Sequence, residues 1–220
     1  MSDFELPPEP GSTRLVATLT VAGLLAGLLL ASTYALTLPA IEANAAAALQ
    51  RAVFQVVPGT TAMRKLVLTG GRFVPADGSE AKDAVAVYAA YGDGGRFLGY
   101  AIPGQGPGFQ DTIKLLFGYD PQRELVVGMQ VLDSRETPGL GDKIFKDPAF
   151  AREFAALAVR PEAVVVKHGT GTLPNQVDGI TGATISSKAV VRIVNERCAG
   201  LLDKLPAAAE VPPAPKEESR

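Results

Sequence analysis

The most hydrophobic part of the chain lies near its N-terminus. Residues 15–41 contain no Asp, Glu, Lys or Arg, and an uncharged run of more than about 20 residues can cross a bilayer as a helix. A cleaved signal peptide has a shorter apolar core of roughly 7–15 residues, so a retained anchor is the favoured interpretation. The pattern predicts a leader at 1–13, a transmembrane helix at 14–41 and a juxtamembrane helix at 42–58.

Small residues recur every four positions inside this apolar run, at Gly23, Gly27, Ala31 and Ala35. On a helix they form one smooth ridge, which lets another helix approach closely. Gly and Ala are also frequent in membrane helices in general. The ridge therefore favours, without requiring, an anchor that is docked in a larger membrane assembly.

Strand-like runs follow the anchor and pair naturally as two hairpins. Residues 84–90 and 97–102 flank a glycine-rich turn at 92–95, which is typical of a tight hairpin connection. Residues 113–119 and 125–132 flank a second turn that carries proline at a favoured corner. Consecutive hairpins predict a mainly antiparallel sheet.

Two helices are predicted after the second hairpin. Asp147-Pro148 predicts the start of a short helix, and residues 164–166 form a short buried strand candidate. Residues from about 186 to 205 carry apolar side chains at helical spacing, which predicts a longer, amphipathic helix.

The fold class that follows is α+β, with a single N-terminal transmembrane helix and a mainly antiparallel sheet packed with helices. The globular domain is expected to span residues 59–205. Residues 206–220 are rich in Pro, Ala, Glu and Lys, so they are predicted to be disordered.

Composition limits the chemistry that the soluble part can perform. The formal net charge of −2 gives no basic surface for nucleic acid. A single cysteine, Cys198, cannot form an internal disulfide, and a single histidine, His168, does not make a metal or haem centre. Cys198 falls on the apolar stripe of the last helix and is interpreted as a core residue, and His168 is assigned no role. Redox chemistry would therefore need an organic cofactor.

The segment 178–188 reads DGITGATISSK and joins a glycine-containing loop to the start of the last helix. Gly179 and Gly182 let the backbone approach a ligand closely, and Ser186 or Ser187 is suited to cap the helix. The first amides of a helix are unsatisfied and lie at the positive end of its dipole, so the loop is a candidate phosphate site. An ordinary glycine turn with a serine cap explains the same residues and stays open at this point.

A second motif, at 136–143, reads ETPGLGDK and precedes the short helix. Its stiff proline lies between residues that can turn sharply. Such a loop leaves backbone N–H and C=O groups free to meet a flat ring, with Leu140 as an apolar cover. A plain connecting loop is the alternative.

TGAT followed by hydroxyl residues resembles the flavinylation motif of the FMN-binding domain family, and ETPGLG resembles the second motif of that family. The family includes the G subunit of the Rnf electron-transport complex and the C subunit of the sodium-pumping NADH:quinone reductase. The resemblance implies that a flavin transferase esterifies Thr184 to the FMN phosphate. It implies further cofactor-binding positions at Thr181, which would shape the loop, and at Gly182, Ala183, Ile185, Ser186, Ser187, Lys188, Glu136, Thr137, Gly139, Leu140 and Gly141.

The charges around this motif agree with such an attachment. The amides of residues 185–187 and the cation of Lys188 would neutralise a phosphoester on Thr184. Asp178 would repel a phosphate, so we expect it to point away and to structure the loop or to be recognised by the transferase. The cofactor would carry the redox chemistry, so neither catalytic residues nor a metal site are expected.

The segment ETPGLGDKI, which follows a single predicted membrane helix, resembles the Rnf G subunit more than the sodium-pump subunit. The resemblance implies an electron-relay subunit of a ferredoxin:NAD-type, ion-translocating oxidoreductase complex in a bacterial inner membrane. Its partners would be the other membrane subunits and the flavin transferase, with the leader in the cytoplasm and the soluble domain on the periplasmic side. The alternatives are a C-type sodium-pump subunit, a non-redox membrane-anchored scaffold and a stand-alone membrane-anchored flavin reductase.

Overall fold

The computed structural model describes residues 11–81 and 84–215 of the chain. The helices and strands, in chain order, are α1 (Ser12–Val56), β1 (Ala62–Thr69), β2 (Arg72–Pro75), β3 (Ala86–Tyr91), β4 (Phe97–Pro107), β5 (Thr112–Asp120), β6 (Leu125–Asp133), α2 (Lys143–Lys146), α3 (Pro148–Arg152), β7 (Leu157–Ala158), β8 (Val164–Val166), β9 (Gln176–Asp178) and α4 (Thr184–Leu201). Short 3-10 turns lie at Asp93–Gly95 and Leu202–Lys204. The chain divides into two compact units after Ala47.

The first unit is formed by the apolar part of α1. Its most hydrophobic 18-residue window has a mean hydropathy of 2.2 and is entirely exposed, so this helix is a candidate membrane span. Four threonine hydroxyls along it donate to the carbonyl oxygen four residues earlier: Thr18, Thr20, Thr33 and Thr37. Their polar groups are therefore satisfied inside the helix, which an apolar surrounding requires.

One continuous helix occupies the region where the sequence predicted two. α1 runs through Pro39 without a break. The proline removes one backbone hydrogen bond, but the alanine-rich sequence beyond it favours helix strongly, so the helix continues. Most of the leader predicted at 1–13 lies outside the described residues.

The second unit is built on a seven-stranded sheet with the order β2-β1-β3-β4-β5-β6-β7. Every neighbouring pair is antiparallel. β3 pairs with β4 and β5 with β6, which confirms both predicted hairpins. A separate parallel pair joins β8 to β9, so the strand candidate at 164–166 is confirmed as well.

The sheet is covered by helices on both faces. The last turns of α1 bury Val53 and Val56 against Ala101 and Leu116. A Cβ atom at Gly118 of β5 would overlap the Val56 carbonyl, so glycine permits this close approach.

α4 covers the other face of the sheet, where Val190 and Ile193 are fully buried. Cys198 is buried there too, and burial raises the pKa of its thiol to about 12, as expected for a core residue. From sequence alone, the glycine-rich run 104–109 is interpreted as a flexible loop or as a segment that could close over the flavin edge. In the structure, residues 104–107 belong to β4. Side chains at Gly104 and Gly106 would meet Ile193 at 2.7 and 2.8 Å, so these glycines serve helix–sheet packing.

The start of the C-terminal tail lies against the sheet, so the prediction of disorder is wrong for residues 206–215. The Tyr100 hydroxyl donates to the Pro206 carbonyl at 2.6 Å, and the Tyr91 hydroxyl donates to the Pro212 carbonyl. Val211 packs against the main core. Buried tyrosine hydroxyls need acceptors, and the proline-rich segment supplies them from its backbone.

Candidate functional site

The loop before α4 is closed onto the helix by one buried serine. The Ser187 hydroxyl donates to the Ala183 carbonyl at 3.0 Å and accepts from the Ile180 amide at 3.2 Å. Gly182 supplies the positive φ of +83° that the turn needs. The 180–184 segment is therefore a fixed turn rather than a loose connection.

α4 begins at Thr184, three residues earlier than a cap at Ser186 would require and four earlier than a cap at Ser187. Ser186 and Ser187 lie inside its first turn and are 2% and 0% exposed, so neither is the cap. The capping position is Ala183, and no side chain caps it. The Ser187 amide bonds to the Ala183 carbonyl at 2.9 Å, so it is not free for a phosphate. Among the described residues, the amides without a backbone partner at this helix start are therefore those of residues 184–186, and not those of 185–187 as expected.

Thr184 is exposed at this uncapped helix end. The helix behind it has 18 residues, and its aligned peptide dipoles place partial positive charge at the N-terminus. A hydroxyl at the first helical position, beside unfilled amides, is suited to carry or contact an anion.

Glu136 lies beneath this site and is only 4% exposed. Its Oε1 accepts the backbone amides of Phe109 at 2.9 Å and Gln110 at 3.0 Å, and its Oε2 accepts the Ser186 hydroxyl. Burial opposes ionisation, yet these hydrogen bonds hold the pKa of Glu136 below its usual value. The carboxylate is thus a connector between three segments rather than a group that faces the cleft.

Two glycines leave the room that this carboxylate occupies. A Cβ at Gly141 would lie 2.6 Å from Glu136 Oε2 and 2.9 Å from Ser186 Oγ. A Cβ at Gly108 would overlap Glu136 Oε1. The second glycine of the ETPGLG motif therefore serves packing around Glu136.

Thr184 borders a cleft of about 310 Å³, which we call the acceptor cleft. Three large apolar side chains along it are exposed: Phe109 at 63%, Leu140 at 51% and Ile185 at 57%. The remaining lining residues are Thr137, Gly141, Gly182, Ala183 and Ser186. Exposed apolar side chains gathered around a groove indicate a ligand or partner surface.

A second cleft, of about 280 Å³, lies on the Thr181 side of the same loop. We call it the charged cleft because its lining includes Lys143, Asp147, Glu153, His168 and Asp178. Among the described residues, no group of three or more His, Cys, Asp or Glu side chains could hold a metal ion.

Asp178 structures the loop of the charged cleft. It accepts the amides of Gly169 at 2.8 Å and Gly171 at 2.9 Å, and these bonds lower the pKa of its carboxyl. This is the loop-structuring role that the sequence suggested for Asp178. The carboxylate and Thr181 therefore belong to the side of the loop that does not carry Thr184.

Two of the other predicted site residues, Lys188 and Gly139, do not line the acceptor cleft. Lys188 lies one turn along α4 from Thr184 and lines a neighbouring groove with Arg192 and Glu196. Gly139 forms an exposed turn with a φ of +78°. Phe109 was not predicted as an individual site residue, although the glycine-rich run 104–109 that contains it was a candidate to close over the flavin edge.

Comparison with known proteins places this chain in a family. The FMN-binding domain family matches residues 108–198. The G subunit of the ion-translocating oxidoreductase complex of Methanosarcina acetivorans is 32% identical over 183 residues, covering 81% of this chain and 88% of that protein. The chain belongs to the family of these G subunits. The G subunit of the proton-translocating ferredoxin:NAD(+) oxidoreductase complex of Clostridium ljungdahlii is 31% identical over 182 residues, covering 83% of this chain and 87% of that protein.

The fold also resembles a solved structure of a more distant relative. NqrC of Shewanella oneidensis aligns with a TM-score of 0.58 and 19% identity, over 70% of this chain and 91% of that one. At this identity the likeness shows a shared fold alone. Membership of the G-subunit family therefore rests on the sequence relatives, as the ETPGLGDKI motif predicted.

The acceptor cleft fits the cofactor that gives the domain family its name. FMN combines a phosphate with a flat ring system that has broad apolar faces, one apolar end and one polar end. The uncapped N-terminus of α4 suits the phosphate, and the exposed side chains of Phe109, Leu140 and Ile185 suit the ring. The charged cleft places three carboxylates beside Lys143 and His168, and the excess of carboxylates makes it less suited to the phosphate of FMN.

Proposed function

We propose that this chain carries FMN as a phosphoester on Thr184 and relays electrons within a membrane-bound, ion-translocating oxidoreductase complex. The observation that carries the proposal is the exposed Thr184 hydroxyl at the uncapped start of α4, beside the acceptor cleft. Membership of the G-subunit family supports it. Its relatives are named as subunits of ferredoxin:NAD(+) and ion-translocating oxidoreductase complexes.

Attachment requires an activated phosphate, because condensation of FMN with a hydroxyl in water is unfavourable. A flavin dinucleotide is such a donor. The Thr184 oxygen would bond to the flavin-side phosphorus, and the bond from that phosphorus to the bridging oxygen of the pyrophosphate would break. The nucleoside monophosphate would leave, and the hydroxyl proton would pass to solvent or to a base of the transferase. A transferase partner is proposed because the described site has no base beside Thr184.

The residues around Thr184 would hold the attached group in place. The amides of residues 184–186 and the helix dipole would stabilise the phosphate charge. Lys188, one turn further along the helix, would add a cation at longer range. Leu140, Ile185 and Phe109 would pack against the ring and exclude water from it.

The protein part of the relay would consist of binding and placement. Bound FMN would supply the reversible electron transfer, so the chain needs no acid, base or nucleophile of its own. We propose that α1 is a single-pass anchor in a bacterial inner membrane and that the domain lies on the periplasmic side, with other subunits as electron donor and acceptor. A covalent link would prevent loss of the cofactor outside the cytoplasm.

The test is the intact mass of the full chain, produced with and without an active flavin transferase. A gain equal to FMN minus water, present in the wild type and absent in Thr184→Ala, is the expected result. An unchanged mass with a transferase that modifies a known substrate would overturn the attachment. The non-redox scaffold would then be the better description of the chain.

A further inference from the structure

We infer that Glu136 is a positioning residue that fixes the Thr184 hydroxyl and the walls of the acceptor cleft relative to one another. The inference rests on the proposed attachment of FMN at Thr184. Glu136 itself would not contact the flavin, because it is 4% exposed and lies beneath the cleft.

Three segments that are distant in sequence meet at this one side chain. The first is the β4–β5 turn, whose Phe109 and Gln110 amides donate to Oε1. The second is the ETPGLG loop, which carries Glu136 itself. The third is the first turn of α4, whose Ser186 hydroxyl donates to Oε2. Each segment also contributes a residue to the acceptor cleft, so Glu136 joins all three of its walls.

A second contact ties the first two segments together. The Thr137 hydroxyl donates to Gln110 Oε1 at 2.9 Å. This bond is exposed, whereas the Ser186 bond of Glu136 is buried and its two backbone bonds are partly buried. A buried acceptor loses more when its donors move. Glu136 therefore dominates the connection, and Thr137 supports it.

The charge of Glu136 adds a reason for the position of α4. No Lys, Arg or His nitrogen lies within 4.0 Å of this carboxylate in the part of the chain that the structure describes. Neutral donors and the positive end of α4 stabilise it instead. The buried Glu136 carboxylate attracts the positive start of α4, and the Ser186 hydrogen bond fixes the distance between them. Ser186 lies two residues after Thr184.

Glycine at the two adjacent positions indicates that the carboxylate is accommodated tightly. The cleft wall at Gly141 and the turn at Gly108 both approach it so closely that a Cβ would collide with a carboxylate oxygen. A connector held this firmly transmits a displacement of one segment to the other two.

The experiment compares Glu136→Ala, Glu136→Gln and Ser186→Ala with a matched control, Asp120→Ala. Asp120 also accepts two backbone amides in a hairpin turn, from Gln122 at 2.9 Å and Arg123 at 3.2 Å, at the β5–β6 turn. The first readout is amide hydrogen exchange on the flavin-free, full chain in detergent. The second is the initial rate of FMN attachment with purified transferase and flavin dinucleotide.

Glu136→Ala is expected to raise exchange together at the amides of residues 109 and 110, which lose their acceptor, and at the Ser187 amide, which bonds to the Ala183 carbonyl, while residues of β1 and β2 stay protected. It is also expected to slow attachment on the order of tenfold or more, because small displacements of reacting groups are costly. Glu136→Gln is expected to restore both readouts to near the wild type, since its amide can accept the two backbone N–H groups and donate to Ser186. Asp120→Ala should leave the attachment rate unchanged.

A double variant distinguishes positioning through Ser186 from general loosening. If Glu136 acts through the first turn of α4, Glu136→Ala combined with Ser186→Ala attaches FMN no more slowly than Glu136→Ala alone. Independent, multiplying effects, or exchange confined to the ETPGLG loop, would overturn the inference. If the wild type accepts no FMN, the proposed function fails, and the exchange readout still decides whether Glu136 joins the three segments.

Discussion

The two clefts on either side of the 180–184 loop differ in chemistry although each presents a threonine. Thr184 faces the acceptor cleft, with exposed apolar side chains and an uncapped helix N-terminus. Thr181 faces the charged cleft, which contains three carboxylates. Thr181 and Thr184 are only three positions apart, yet the surroundings of the Thr184 hydroxyl suit a phosphate and those of the Thr181 hydroxyl do not. The surroundings of a threonine, rather than its residue type, decide which one can carry an anionic cofactor.

Exchanging each threonine for alanine gives the largest expected difference between the two clefts. Thr184→Ala is expected to abolish FMN attachment because the acceptor oxygen is lost. Thr181→Ala is expected to keep most of it, because its side chain lies in the charged cleft. The measurement is flavin fluorescence of the denatured protein after gel separation. Equal loss in both variants would contradict the distinction between the clefts.

A carboxylate placed in the acceptor cleft should make it resemble the charged cleft. Leu140→Asp is expected to slow attachment roughly fivefold or more, because like charges a few ångströms apart repel by on the order of 1 kcal/mol. The matched control is Leu173→Asp, since Leu173 is 58% exposed, close to the 51% of Leu140, and lies in neither cleft. Attachment rates measured at low and high salt check the electrostatic origin. Equal slowing in both variants would contradict it.

Ser187 holds the loop that both clefts share, so its removal should loosen both. Ser187→Ala is expected to cost about 1–2 kcal/mol of unfolding free energy, because the Ile180 amide loses its buried acceptor. The control is Ser79→Ala, an exposed serine bonded to Asp77, for which a change within about 0.5 kcal/mol is expected. Urea denaturation measures both. A neutral Ser187→Ala would show that the loop is held by other contacts.

The smallest expected effect is the acid response of the charged cleft. The backbone hydrogen bonds from Gly169 and Gly171 lower the pKa of Asp178 from 3.8. A lowered pKa means that the carboxylate stabilises the fold at pH values above 3.8 and that this contribution is lost as the pH falls through the folded value. The amide chemical shifts of Gly169 and Gly171 should titrate with a midpoint below 3.8 and lose this titration in Asp178→Asn. A midpoint at or above that value would contradict the assignment.

Local sequence was sufficient for elements whose determinants are close together in the chain. Both hairpins and the short helix after Asp147 were predicted, because turn residues and caps act within a few positions. The edge pairing of β1 with β2 and the parallel pair β8–β9 were missed, since such pairing depends on tertiary contacts. The continuity of α1 through Pro39 was missed because proline usually ends a helix.

The site shows the same division between local and distant determinants. The motifs identified the two loops, and the structure brings Leu140, Gly141 and Thr184 to one cleft. The capping role predicted for Ser186 or Ser187 was wrong because the capping position is Ala183, so both serines lie buried inside the first turn of α4. The partners of Glu136 lie 26, 27 and 50 residues away, so no local pattern could reveal its connecting role.

The most direct test of the account is to locate the attached flavin within the wild-type chain. Peptides covering residues 178–188 would be isolated after production with the transferase and fragmented in a mass spectrometer. The account predicts that the fragments place the entire added mass of FMN minus water on Thr184. Mass on Thr181, or divided between the two threonines, would contradict the claim that the acceptor cleft selects the site of attachment.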